Sequence, residues 1–177
     1  TPGSTMRQPA DGALQDLDKT AGLPAGERMF ASLFNVRPKT FETQPGIVRL
    51  DCPTACRGSL LETQINANPG LPVWVAGDLD IDTNVELGSV QSPALIVVTG
   101  DVDFSAANAT VNGLLYGRAE TWTISGTPKI RGALVAENDL RLDVAGGNVS
   151  HDADVLRRLN TLSGSFVRVP GGWKDFP

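Results

Sequence analysis

The sequence predicts a mainly β protein: a short parallel β-solenoid with an N-terminal helix packed on one face and a C-terminal helix-strand cap. Three observations lead to this class. First, short phrases recur at a fixed step. Val111-Asn112-Gly113, Ile130-Arg131-Gly132 and Val149-Ser150-His151 follow one another 19 residues apart, and a constant period near 20 marks one unit stacked on copies of itself. Second, four long rungs carry alternating tails. Leu79 and Ile81 oppose Asp78, Asp80 and Asp82; Val102 and Phe104 oppose Asp101 and Asp103; Leu140 and Leu142 oppose Asp139, Arg141 and Asp143. Period-two alternation is the mark of a half-buried strand, and coils of such strands stacked about 4.8 Å apart pair each strand with the next. Third, the rung heads Val73–Val75, Leu95–Val98, Leu114–Tyr116 and Ala133–Val135 are apolar without alternation. A parallel strand reads this way when both faces are buried, so the outer face of these heads needs a cover from outside the repeat.

Taken in order, residues 1–25 are polar and rich in Gly, Pro and Ala and read as a flexible segment, with a brief helix at Asp11 to Leu17. Residues 26–177 read as one domain. The stretch Ala25 to Phe34 is the first clear helix: Met29, Phe30, Leu33 and Phe34 form one apolar stripe suited to cover the rung heads, and Pro38 is expected to end it. Ile47–Leu50 reads as a short strand leading into a cysteine loop, and residues 57–72 read as a connector. The repeat follows. Its step from Val85 to Val111 is 26 residues, seven more than the later one, which makes Ser89–Pro93 an insertion; Gly117–Thr121 breaks the third rung similarly. Loops inserted at one corner of a stack often carry binding, so Ser89, Gln91, Arg118 and Glu120 are candidate interaction residues. After Val149 comes a helix from Asp152 to Leu159, with Asp152 as N-cap and Arg157 and Arg158 near its end, an order that suits the helix dipole. Phe166–Val169 is the last expected strand, and Trp173 and Phe176 are expected lids over the end of the stack, Trp173 also being a candidate contact residue.

Composition narrows the function. At 177 residues the chain supports a sizeable core. A net charge of −5 argues against a nucleic-acid partner, which needs basic clusters. No run of like charge suggests a membrane surface, and no stretch approaches the roughly 18 apolar residues of a membrane span. The sequence opens Thr1-Pro2-Gly3 without an initiator Met and is read as a processed or truncated chain whose leader or anchor lies out of view. Cys52 and Cys56 are the only cysteines. They are too few for a metal site and spaced unlike a redox pair. A local disulfide, which implies an oxidising compartment, stands against two free thiols in a cytosolic protein.

Asp78-Leu79-Asp80-Ile81-Asp82 is the loudest polar feature. Its carboxylates, with Asp101 and Asp103 stacked from the next coil, are candidates for a Ca²⁺ site or for the paired acids of a polysaccharide-cleaving solenoid. The plainer alternative is a solvated outer face in which Asp78, Asp101 and Asp139 accept backbone N–H bonds at a repeated corner. An EF-hand is excluded, because Thr83 stands where that loop needs Gly and Ser89 where it needs Glu. The single histidine, His151, supports no Ser/His/Asp set, and Gly146-Gly147 is no phosphate loop. Arg118, Trp122 and Lys129 are placed to line a sugar- or protein-binding corner, although a Trp at rung spacing is more often core. No cofactor is expected.

Five phrases in order carry a family resemblance: Asp51-Cys52 to Cys56; Val73-Trp74-Val75-Ala76-Gly77-Asp78-Leu79; Gly113-Leu114-Leu115-Tyr116; Gly132-Ala133-Leu134-Val135-Ala136-Glu137; and Pro170-Gly171-Gly172-Trp173-Lys174-Asp175-Phe176. From about Gln44 to Phe176 the sequence resembles the soluble domain of PilX-type pilus-assembly proteins, the minor-pilin-like proteins of Gram-negative type IV pili. His151-Asp152 departs from the Tyr-Asp usual there. The resemblance implies a non-enzymatic subunit whose partners are other pilins and pilus-assembly proteins. It also implies an N-terminal apolar helix, outside this sequence, that anchors the protein in the inner membrane before assembly into a periplasmic or surface pilus. Two other readings remain open at this point. One is a carbohydrate-active solenoid enzyme using Asp78, Asp80, Asp101 and Asp103; the other is a polymer-forming, bactofilin-like structural protein with free thiols.

Overall fold

A computed structural model describes residues 24–118, 121–138 and 147–162. It is mainly β: among the described residues, nine strands form one curled, open sheet in which every pairing is parallel. In chain order the elements are α1 (Ala25–Phe34), α2 (Pro38–Phe41), β1 (Val48–Arg57), α3 (Gly58–Ala67), β2 (Val73–Ile81), β3 (Glu86–Leu87), β4 (Ala94–Val98), β5 (Val102–Phe104), β6 (Thr110–Gly117), β7 (Trp122–Ile124), β8 (Lys129–Ala136), β9 (Asn148–Ser150) and α4 (Ala153–Leu162).

The strands sort into three ladders. The first runs through β3, the starts of β6 and β8, and β9. The second runs through the starts of β1 and β2, then β4 and the ends of β6 and β8. The third runs through the ends of β1 and β2, then β5 and β7. The expected 19-residue step is the register of the first ladder, where Val111 pairs with Ile130 and Ile130 with Val149. One expected pairing is corrected: Val111 stands beside Leu87, not Val85. Strands β6 and β8 pass from the first ladder to the second at Gly113 and Gly132, which pair with each other. Both have strongly positive φ, and a Cβ on Gly113 would lie 1.9 Å from the Ala94 carbonyl oxygen. Only glycine permits both that conformation and that approach.

Two apolar regions lie on opposite faces of the second ladder. Val73, Val75, Ile96, Val98 and Leu115 face inward and meet Leu79, Ile81, Val102, Phe104, Val111 and Ile130 from the other two ladders. Trp74, Leu95, Val97 and Tyr116 face outward. That outer face is covered from outside the repeat, by Phe30 and Phe34 of α1, Phe41 of α2 and Leu159 of α4. Phe30 is the hub, with its ring centroid 5.2 Å from Tyr116, 5.4 Å from Phe41 and 6.2 Å from Trp74, each edge-on.

Several expectations need correction. Leu33 is 52% exposed, so the buried stripe of α1 is centred on Phe30 and flanked by Phe34. Helix α1 ends at Asn35, which adopts the left-handed conformation and donates its N–H to the Ala31 carbonyl. Pro38 instead opens α2, where its missing N–H costs nothing. The expected connector contains α3, whose Leu61 and Ile65, one turn apart, enter the inner core. Strand β1 runs through the cysteine pair instead of ending before it, with a register shift between Asp51 and Ala55. The expected C-terminal helix forms, with Asp152 accepting the N–H groups of Asp154 and Val155 at 3.1 Å each. It packs on β6 and β8 and joins the outer cluster, so this half of the expected cap serves the sheet's face. The N-terminal segment up to residue 23, Glu120, the Asp139–Asp143 tail, the Phe166–Val169 strand and the lids Trp173 and Phe176 lie outside the described residues.

Candidate functional site

The sequence points to three places: the cysteine pair, the aspartate face and the inserted corners. Cys52 and Cys56 form a disulfide with Cα atoms 5.3 Å apart, and no cysteine is free. The local disulfide expected from the sequence is present, and the alternative of two free thiols does not hold. The bond spans the irregularity in β1, with Cys56 buried in the inner core. Gly77 lies beneath this loop: a Cβ there would meet the Cys52 carbonyl oxygen at 3.3 Å. Disulfide and glycine together hold a bulged strand at one end of the sheet.

The aspartates serve two different ends. Asp78 accepts the N–H of Asp101 at 2.8 Å, and Asp101 accepts the N–H of Thr121 at 3.0 Å. Asn84 does the same for Asn108 at 2.9 Å. These side chains tie the backbone after one strand to the backbone after the neighbouring strand, supplying acceptors for N–H groups at corners where strand pairing lapses. Asp80 stands in register between Arg57 and Asp103. Arg57 donates to Asp80 at 2.9 Å and also pairs with Asp82. Asp80 and Asp82 thus meet at the Arg57 guanidinium, whereas Asp78 turns to the Asp101 N–H. A Ca²⁺ ion takes six to eight oxygens, and no group of three or more such ligands is gathered among the described residues.

The first inserted corner is a closed turn. Ser89 donates its N–H to the Ser92 carbonyl at 2.9 Å, and Ser92 donates its N–H to the Ser89 hydroxyl at 3.0 Å. Ser89 and Ser92 line one side of a cleft of about 280 Å³ whose other side is Glu62, Ile65 and Asn66 of α3. Gln91 is exposed at the tip. Glu62 accepts the Glu86 N–H at 2.8 Å, which joins helix to ladder at the cleft floor.

At the second corner Arg118 is tied inward. Its Nε donates to Glu137 Oε1 at 2.8 Å, and the Tyr116 hydroxyl donates to the same oxygen at 3.0 Å. The Glu137 side chain is only 7% exposed. Burial, reinforced by the Glu137 charge and hydrogen bond, pushes the Tyr116 phenol far above its ordinary value and keeps it a donor. The other carboxylate oxygen faces α1, since a Cβ on Gly26 would lie 2.2 Å from it. A carboxylate at a helix's first turn is favoured by the helix dipole, and α1 has no side-chain cap of its own. The sequence reading missed Glu137 and Tyr116. The available signal was an acid directly after the apolar run Ala133–Ala136. Trp122 is buried in the inner core, and Lys129 is exposed on the first ladder. Asp152 is held below the usual carboxylate range, first by the Val155 N–H and further by Arg131.

The fold and these places define a class: a mainly β, parallel-stranded domain with a disulfide-closed end and a helix-covered outer face. The chain belongs to the family described as a domain of unknown function (DUF7305), whose model matches residues 30–158. That span begins at Phe30, the hub of the outer cluster, and closes within α4. No match to the chain was found among curated proteins or among solved structures.

Proposed function

We propose that this chain is a non-enzymatic structural and interaction subunit, minor-pilin-like, that takes part in type IV pilus assembly or in contacts at the pilus tip. We also infer that its three ladders close into a short β-solenoid. The solenoid reading is supported by the shared register of the ladders and by an inner core drawn from all three. The observation that carries the functional reading is the Cys52–Cys56 bond on the terminal strand. A disulfide persists in oxidising compartments, as a periplasmic or surface subunit requires. The polar groups support the same view. The aspartates that raised the possibility of hydrolysis are engaged with backbone N–H groups and Arg57, so the face reads as scaffold. The corner at Ser89 and Gln91, beside its cleft, is the surface on which a partner pilin would act.

The test is N-terminal sequencing and intact mass of the protein recovered from its native cells, together with its enrichment in sheared pili. The expected result is a processed amino terminus followed by an apolar helix of about 20 residues ahead of Thr1, with co-purification in the pilus fraction. A simple secretory cleavage with no such helix, and no enrichment, would overturn the proposal.

A further inference from the structure

Two asparagines stand in the three-residue pattern that N-glycosylation reads, Asn-X-Ser/Thr with X other than proline. They are Asn108-Ala109-Thr110 and Asn148-Val149-Ser150; no other asparagine of the chain has Ser or Thr two residues on. The pattern is short, so the folded surroundings decide its weight. Both asparagines are exposed. Asn108 lies on the turn between β5 and β6, and Asn148 opens β9. Thr110, Lys129 and Asn148 stand in register at the start of the first ladder. The two patterns are therefore two strand spacings apart, roughly 10 Å, at the same end of that ladder's strands.

Neither carboxamide makes a hydrogen bond among the described residues. Asparagine in a turn ordinarily adopts a left-handed backbone or binds a nearby backbone group through its side chain. Asn108 does neither. Among the described residues other than glycine, only Asn35 has a positive φ, and other groups hold the turn. Asn108 donates its own N–H to Asn84 at 2.9 Å, Ala107 accepts the Thr127 hydroxyl, and Ala109 accepts the Lys129 N–H at 2.9 Å. Ala106 and Ala109, both buried, anchor the turn on either side. Asn148 is likewise held by its backbone, through the Pro128 carbonyl at 2.9 Å, at a strand position where asparagine is disfavoured. Asn68, Asn84 and Asn112, by contrast, each engage a backbone group with the side chain.

We propose that Asn108 and Asn148 are N-glycosylation acceptors. The donor is an oligosaccharide linked to a lipid pyrophosphate, and a transferase joins it to the chain. The carboxamide nitrogen attacks the anomeric carbon of the sugar. A carbon–nitrogen bond forms, the carbon–oxygen bond to the pyrophosphate breaks, the nitrogen gives up one proton, and the lipid pyrophosphate leaves. No oxidant or reductant is needed. The Thr110 and Ser150 hydroxyls are the part of the pattern that the transferase reads. Ser89 lies between β3 and β4, away from the turn that carries Asn108, so sugar there leaves the cleft open. The inference shares with the pilus reading only the oxidising compartment inferred from the Cys52–Cys56 bond.

Peptide mass spectrometry of the full protein recovered from its native cells tests it. The peptides containing Asn108 and Asn148 are expected to carry whole sugar residues on the asparagine. Asn108→Gln and Thr110→Ala should each remove the first sugar and keep the second, whereas Thr110→Ser should keep both. Ser150→Ala should remove only the second. Asn108→Gln changes an exposed side chain on a turn held by other groups, so this variant stays folded and readable. Bare asparagines in protein whose Cys52–Cys56 bond is formed would overturn the proposal, because that protein has reached the oxidising compartment. So would sugar confined to hydroxyl groups, or sugar on Asn108 that survives Thr110→Ala. Sugar on one asparagine alone would overturn the proposal for the other.

Discussion

The inner core and the outer aromatic cluster share the strands of the second ladder, yet they are built in opposite ways. The inner core is aliphatic apart from Cys56, Phe104 and Trp122, and its columns come from residues paired in register on neighbouring strands. The outer cluster is dominated by aromatic rings and draws on α1, α2 and α4, which belong to no repeat. It also contains a nearly buried carboxylate serving a tyrosine, an arginine and the first turn of a helix. The inner core is thus propagated by the backbone register. The outer cluster is assembled by docking, and its fit depends on single side chains. Damage to the register should therefore cost the whole fold, whereas damage to the docking should cost the helices first.

The largest expected effect is at the register. In Gly113→Ala the new methyl would lie 1.9 Å from the Ala94 carbonyl oxygen, at φ +146°. Both backbone strain and a clash with main chain result, and neighbouring β4 cannot give way without breaking the ladder. The expected outcome is loss of soluble, cooperatively unfolding protein. Gly46→Ala is the matched control. Its φ is also positive, at +88°, but nothing lies within 4 Å, so the cost should be about 1 kcal/mol in urea unfolding.

Two phenylalanine truncations sharpen the contrast. Phe104→Ala in the inner core and Phe30→Ala in the outer cluster each remove a fully buried ring, and each should cost about 3–5 kcal/mol. They should differ in kind. Phe104→Ala should lower a single transition seen equally by far-ultraviolet circular dichroism and by tryptophan fluorescence. Phe30→Ala should separate the probes, with helical signal lost before the sheet, because Phe30 links α1 to α2 and to Trp74 and Tyr116. Coincident transitions in Phe30→Ala would show that the cluster is part of one cooperative unit.

How much of this was legible in the sequence follows the same division. The 19-residue recurrence from Val111 to Val149 exposed the register of the first ladder, because parallel pairing repeats the same demands on each strand. The unbroken apolar heads at Val73–Val75 and Leu95–Val98 announced a second, outer cover. The backbone-accepting roles of Asp78 and Asp101 were also readable, since the two recur at equivalent places in successive phrases of the sequence. Features set by one contact were not. Helix α3 was missed because only Leu61 and Ile65 of its short stretch are buried core side chains, too few for a clear stripe. Arg118 was read as a displayed contact because its partner, Glu137, lies 19 residues on and follows an apolar run that says nothing of a buried acid.

The Glu137 cluster predicts an alkaline weakness. Tyr116 is the only tyrosine in the chain, and its phenol is held far above the ordinary value by burial and by Glu137. A group whose folded value exceeds its unfolded one stabilises fully below the unfolded value and loses that contribution as pH rises toward the folded one. Stability should therefore fall above pH about 10, by roughly 1.4 kcal/mol per pH unit from this group. Tyr116→Phe should be less stable at pH 7, because Glu137 loses a donor, but its stability should fall less steeply between pH 10 and 12. Parallel curves for the two proteins would contradict the burial of this phenol. Glu137→Ala should cost about 3 kcal/mol at neutral pH, less than either phenylalanine truncation if α1 stays docked on its rings.

The smallest effect is expected on the aspartate face, and its smallness is informative. Arg57 is 59% exposed and pairs with Asp80 and Asp82, themselves partly exposed. Solvent-screened pairs of this kind contribute about 0–1 kcal/mol, so Arg57→Ala should shift the urea midpoint only slightly, and less in high salt. Removing the arginine does uncover two carboxylates beside Asp103, which pairs in register with Asp80. If that face were a cation site kept closed by Arg57, the variant would gain Ca²⁺-dependent stability in thermal unfolding at millimolar calcium. A scaffold face predicts none, because Asp78 and Asp101 remain committed to the N–H groups of Asp101 and Thr121 and leave too few oxygens for the ion.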